Sequence, residues 1–261
     1  MQVLRYVLYN IMFHCQKVFL ITSSNLLVLF VKSLEVFQVA GRNVVNVDFY
    51  NPQGIELGRS LNVASSGKLE MVVSPYLHQS ASLFNPQNNG RLFTLLRHPI
   101  ERAASSYGMY LQQEKARNPA SPPMSISDYA KSNRVENNWM VRFLSNKMSG
   151  PLENGDLVLA KDILKHKFIV GLLDQKEESL QRFNMYFGWN TQPARNKLDP
   201  TERHKCIQRN LAQAPASNKF ATVPVKEGSK EYKLLLLQNS FDMELYIYAK
   251  QLFQEQRSYF A

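Results

Sequence analysis

The chain has 261 residues, 44% of them hydrophobic and 20% charged, the proportions of a folded domain long enough to bury a sizeable core. Its 15 Phe and 12 Tyr argue against disorder. Thirty-one Lys and Arg against 21 Asp and Glu leave a net charge of +10, which favours an anionic partner; the basic residues are dispersed rather than striped, which disfavours nucleic acid.

The first 43 residues form an apolar segment whose role stays open. Val18–Val31 is nearly continuously apolar, with Arg5 and Lys17 before it and Lys32 after it. It is shorter than the usual membrane span of about 17–25 residues and carries four polar residues, Thr22 to Asn25. A weak signal anchor, a signal-peptide core and a buried strand and helix all fit it. From Val44 onward the pattern is that of one domain, 44–261. Val44–Phe49 alternates as a strand does, Asn51-Pro52-Gln53-Gly54 reads as a turn, and Ile55–Asn62 as a short helix. Leu69–Val73 is a second apolar run, read as a strand, and Tyr76–Phe84 has helical spacing. Asn85–Gly90 is a loop, Leu92–Leu96 a short buried strand, and Ile100–Gln113 a helix.

Further on, Asn118–Pro123 is a Pro- and Ser-rich loop, and Ser127 reads as a helix N-cap. Helices are expected over Asn137–Leu144, Leu157–Leu164, Glu177–Phe187 and Phe241–Phe253, with a buried strand at Phe168–Leu173 and a turn over Gly150–Gly155. Asn190–Pro200 and Lys226–Lys230 read as polar connections. Strands alternating with helices predict an α/β fold, a mainly parallel sheet flanked by helices on both faces. Cys15 and Cys206 have neither zinc spacing nor a disulfide framework. None of His14, His78, His98, His166 and His204 forms a metal-binding pair, so no metal is expected.

The stretch with chemical content is Arg97–Ser105. An arginine at the tip of a strand offers a forked pair of charge-assisted hydrogen bonds to a phosphate. The helix that follows adds backbone N–H groups and a favourable dipole, and Ser105 lies eight residues past Arg97. A strand-to-helix turn with a solvated arginine is the plainer alternative. His98 is expected to cap the turn. Arg102 and Arg142 either add positive charge for an acidic ligand or form ion pairs.

Thr94-Leu95-Leu96-Arg97-His98-Pro99-Ile100-Glu101-Arg102, followed by Ser105-Ser106-Tyr107, resembles the 3′-phosphate-binding segment of the PAPS-dependent sulfotransferases. The carbohydrate branch, with the heparan sulfate 2-O- and 6-O-sulfotransferases, is nearest. Asn138–Leu144, Phe168–Leu173 with Glu177–Leu180, and Asp242–Ala249 are similar, in order, to later segments of that family. The resemblance implies a P-loop NTPase-like sulfotransferase fold and PAPS as co-substrate without a metal. It also implies a carbohydrate or glycan acceptor, no nucleic acid, and a Golgi membrane protein with a lumenal domain if the N-terminal segment is an anchor. Arg97 and Ser105 would hold the 3′-phosphate. His78, 19 residues before Arg97, would be the base that removes the acceptor's proton, as a histidine does in the corresponding region of the 2-O-sulfotransferases; the alternative is a helix-surface histidine.

The sequence departs from the family upstream of Val44. The family has a Lys-x-Gly-[Ser/Thr]-Thr loop there, whereas Lys17–Ser24 carries a lysine and hydroxyls but no glycine. Glycine supplies the positive-φ turns of such a phosphate cradle. Two expectations follow: an N-terminally incomplete sulfotransferase, or an inactive module that binds PAP or an acidic glycan.

Overall fold

The computed structural model describes residues 33–39, 42–69, 72–85, 90–120, 122–187 and 224–260. They fall into two compact units, divided between Arg91 and Leu92. Val18–Val31, Lys17–Ser24, Asn190–Pro200, His14, His204 and both cysteines lie outside the described residues.

In the unit before Leu92, strand β1 (Val36–Val39) pairs antiparallel with β2 (Arg42–Val45). The alternation expected over Val44–Phe49 is present, since Val45, Val47 and Phe49 are buried, but the ladder ends at Val45. Beyond it, side chains occupy the backbone groups. Asn46 accepts from Glu35 N through Oδ1 at 2.9 Å and donates to the Ser33 carbonyl at 2.9 Å. Asp48 Oδ1 accepts from Tyr50 N at 2.9 Å.

The expected Asn51–Gly54 turn is instead the start of helix α1 (Pro52–Ser60). Asn51 is its N-cap and accepts from Gly54 N at 2.6 Å, with Pro52 at the first position. A Cβ on Gly54 would lie 1.7 Å from the Asp48 carbonyl oxygen, so the helix can approach that backbone only with glycine there. Leu34, Val45, Val47, Phe49, Ile55, Val63 and Leu83 form the core. Leu69 and Val72 pack on it without forming a strand in the described part of Leu69–Val73. Helix α2 (Leu77–Ala81) is shorter than the spacing suggested.

In the second unit, β3 (Leu92–Leu96) and β4 (Phe168–Leu172) pair in parallel, from Leu92 opposite Phe168 to Leu96 opposite Leu172. Between them run α3 (Pro99–Arg117), α4 (Ile126–Lys131), α5 (Trp139–Ser145) and α6 (Asn154–Lys167). After β4 come a 3₁₀ turn (Leu173–Gln175), α7 (Lys176–Phe187), α8 (Lys230–Gln238), α9 (Ser240–Glu255) and a last 3₁₀ turn (Gln256–Tyr259). The chain is thus α/β and mostly helical. Among the described residues the expected parallel sheet is this two-stranded pair.

The structure supplies a reason for its narrowness. Gln256 donates from Nε2 to the Phe168 carbonyl at 2.9 Å and accepts from Val170 N at 2.9 Å. Ser179 Oγ accepts from Leu172 N at 2.9 Å. These side chains satisfy the edge of β4 where a further strand would pair. Phe183 of α7 and Leu245 and Phe253 of α9 are fully buried with Val170 and Leu172. A second cluster joins Ile100, Ala103 and Tyr107 of α3 to Tyr129 and Ala130 of α4, Val135, and Leu235 of α8.

Two helix starts differ from expectation. Ser125, not Ser127, caps α4, accepting from Asp128 N at 3.1 Å; Ser127 instead donates to Glu231 of α8 at 2.7 Å. Helix α8 begins within the stretch read as a polar connection, capped by Ser229 through Tyr232 N.

Candidate functional site

In a parallel sheet, ligands gather outside the carboxyl ends of the strands. Strands β3 and β4 end level with each other, Leu96 opposite Leu172. The residues that leave those ends are Arg97 and His98 from β3, and Leu173 and Asp174 from β4.

Arg97 is largely buried, its side chain 13% exposed, and Nε bonds to Glu101 Oε2 at 3.2 Å. Glu101 is itself 63% exposed. The two terminal guanidinium nitrogens make no hydrogen bond among the described residues. His98 is the N-cap of α3 by position, yet its side chain makes no capping bond. The expected cap is therefore absent, because the ring turns edge-on to Tyr246 instead, with centroids 5.5 Å apart. The first-turn N–H groups of Ile100 and Glu101 are left without a side-chain cap, and the helical ladder begins with Arg102 N donating to the His98 carbonyl at 2.9 Å.

Ser105 lies on the second turn of this 19-residue helix. It is 1% exposed, and its Oγ has no hydrogen-bond partner. A serine inside a helix commonly donates to the carbonyl four residues back; this one does not. Because Cα–Cβ bonds in a helix lean toward its N-terminus, the hydroxyl leans toward the end of α3 where Arg97 enters. Arg97 and Ser105 thus share one strand–helix unit.

The other two arginines hold the structure together. Arg102 bonds to Glu136 Oε2 at 2.7 Å, the Glu136 carbonyl at 3.0 Å and Asn239 Oδ1 at 3.1 Å, and lies 3.5 Å from the buried Asp242. Asp242 in turn caps α5, accepting from Met140 N at 3.0 Å and Val141 N at 2.9 Å. Arg142 bonds to the carbonyls of Asn137, Lys147 and Gly150. Of the two alternatives for these residues, the ion pair holds for Arg102, and backbone clamping accounts for Arg142.

Residues from separate stretches complete the cluster. Tyr246 of α9 is buried, and the Asp174 carboxylate acts on its hydroxyl. Burial first, then Asp174 and the Glu101 charge, push its hydroxyl well above the usual tyrosine range, so it stays protonated. Burial pulls His98 below its ordinary value of 6.5, against the carboxylates of Glu101, Glu227 and Asp174 and with the help of Lys250. Its ring is therefore neutral at pH 7. Neither Tyr246 nor Asp174 lies in the Arg97–Ser105 motif; Tyr246 stands in the closing segment Asp242–Ala249, and Asp174 just past the expected strand Phe168–Leu173.

His78 is half-buried on the five-residue α2, in the unit before Leu92, whereas Arg97 and Ser105 belong to the unit that follows. Among the described residues no helix is long and apolar enough to cross a membrane. Also among them, no group of three or more His, Cys, Asp or Glu is placed to hold a metal ion. Comparison with family models, with curated proteins and with solved structures finds no match to this chain.

Proposed function

We propose that this chain is a carbohydrate sulfotransferase of P-loop NTPase-like fold that uses PAPS, with Arg97 and Ser105 holding the donor's 3′-phosphate. The observation that carries the reading is the partnerless, buried hydroxyl of Ser105 on the helix that Arg97 opens. A buried hydroxyl is ordinarily hydrogen-bonded; a phosphate oxygen would satisfy this one. The uncapped first-turn N–H groups of α3 and the terminal nitrogens of Arg97 add donors of the kind a phosphate takes. These groups bind and orient. PAPS supplies the sulfuryl group when bound, and His78 is proposed to accept the proton of the acceptor hydroxyl. The acceptor is a glycan, and the lumenal Golgi setting goes with the same proposal.

A second reading, an inactive module that binds PAP or an acidic glycan, is supported by the absence of glycine from Lys17–Ser24. One experiment separates the two: purified protein with radiolabelled PAPS and a panel of glycans, beside PAP binding by calorimetry. The first reading expects transfer that Arg97→Ala abolishes, with PAP affinity falling about ten- to a hundredfold as a charge-assisted pair is lost. PAP binding without transfer to any glycan selects the inactive module. No PAP binding at all sinks both.

A further inference from the structure

We infer that His98 is a third ligand-facing residue of the anion site, and that it takes up a proton when a dianionic phosphomonoester binds beside Arg97. The inference rests on the reading of Arg97 and Ser105 as a phosphate site and deepens it, because it names the charge state of the ligand that the site selects.

Three observations carry it. First, His98 stands between Arg97 and the first turn of α3, at the N-cap position, with no capping bond made by its side chain. Neither ring nitrogen has a hydrogen-bond partner among the described residues, although the ring is half-buried. A half-buried imidazole in that condition has its donor and acceptor to offer. Second, Glu101 ties the ring to the arginine. Its carboxylate bonds to Arg97 Nε at 3.2 Å, and among neighbouring charges it acts most strongly on His98. Third, the ring is held. Tyr246 packs edge-on against it, and Tyr246 is itself buried.

The charge balance points the same way. Among the described residues, Lys250 is the cation and Glu101, Asp174 and Glu227 the anions that act on His98, and Arg97 is joined to Glu101. An incoming dianion meets three carboxylates and two cations, a balance that favours it poorly. One proton on His98 makes the cations three, and a dianion within a few ångströms raises the affinity of the ring for that proton. Burial keeps the ring neutral in the free protein, so the proton arrives with the ligand. A singly charged sulfate ester or phosphodiester raises the ring's proton affinity less. His98 therefore favours a terminal phosphomonoester over either.

Calorimetry with adenosine 3′,5′-bisphosphate tests this, run at several pH values in two buffers of different ionisation enthalpy on wild type, His98→Gln and Arg97→Ala. Wild type should take up about half a proton more per ligand bound than His98→Gln near pH 7, the variant serving to subtract the protonation of the ligand itself. His98→Gln should bind about tenfold more weakly than wild type at pH 6 and about equally at pH 8, the effect of one charge-assisted hydrogen bond. Arg97→Ala should bind about ten- to a hundredfold more weakly at both. The ring resonances of His98 in the wild-type protein give a second measurement that needs no variant: their titration midpoint should move up on saturation with the ligand. A midpoint that does not move, or proton uptake equal in wild type and His98→Gln, overturns the inference and leaves the phosphate site standing. Absence of binding by wild type at every pH overturns the phosphate site itself.

Discussion

A buried hydroxyl without a partner costs about 1–3 kcal/mol relative to a satisfied one, and Ser105 stands in that condition inside α3. Alanine there removes the orphan and improves helix propensity, by about 0.5 kcal/mol on the second count. Ser105→Ala should therefore raise the urea midpoint of unfolding, with a gain of about 0.5–1.5 kcal/mol. If the hydroxyl faces a phosphate, the same change should weaken PAP binding about three- to tenfold. The two readouts move in opposite directions only for a binding residue. A loss of stability with binding unchanged would assign the hydroxyl to packing. Arg102, three residues before Ser105, is the counter-example on the same helix. Its bonds to Glu136 and Asn239 and its approach to Asp242 bind α3 to α9 and to the start of α5, and its substitution should show chiefly as lost stability.

At the scale of elements, the parallel pair depends on how closely α7 approaches β4. A Cβ on Gly171 would lie 2.5 Å from Phe183 Cζ and 3.1 Å from Leu95 Cδ1. Phe183 is fully buried, so its ring has nowhere to go. Gly171→Ala should destabilise the protein by about 1–3 kcal/mol through overpacking, measured by urea denaturation; a change within about 0.3 kcal/mol would mean that α7 is free to shift. Much of this architecture was legible in the sequence because its signals are local. Leu92–Leu96 and Phe168–Leu172 are apolar runs of strand length, and the helix before β4 and the closing helix carry their own patterns. The width of the sheet was not legible. The Gln256 side chain reaches the β4 edge from 86 and 88 residues away, and nothing in its own neighbourhood announces that. Helix α8 was missed for a related reason: it fully buries Leu235 alone, so its sequence reads as polar chain with leucines. The site divides along the same line. Arg97 and Ser105 stand in one motif, whereas His98, Asp174 and Tyr246 meet only through strand register and the packing of α9.

At the scale of the whole molecule, the net charge of +10 is spread along the chain, whereas Arg97 is a single largely buried cation. Salt distinguishes the two. Charges on the surface act over a Debye length of about 10 Å at 0.1 M salt and about 3 Å at 1 M, so attraction of a polyanionic glycan to dispersed lysines and arginines fades quickly as salt rises. A guanidinium with 13% exposure is screened much less, and its hydrogen bonds to a phosphate are short-range. The protein should therefore leave a sulfated-glycan column at moderate salt, with Arg97→Ala leaving at nearly the same concentration. PAP binding, in contrast, should weaken only gradually over that range and be lost in Arg97→Ala. If Arg97→Ala shifts glycan elution as strongly as it shifts PAP affinity, polyanion and nucleotide compete for one site, and a separate acceptor surface carried by the dispersed charge is ruled out.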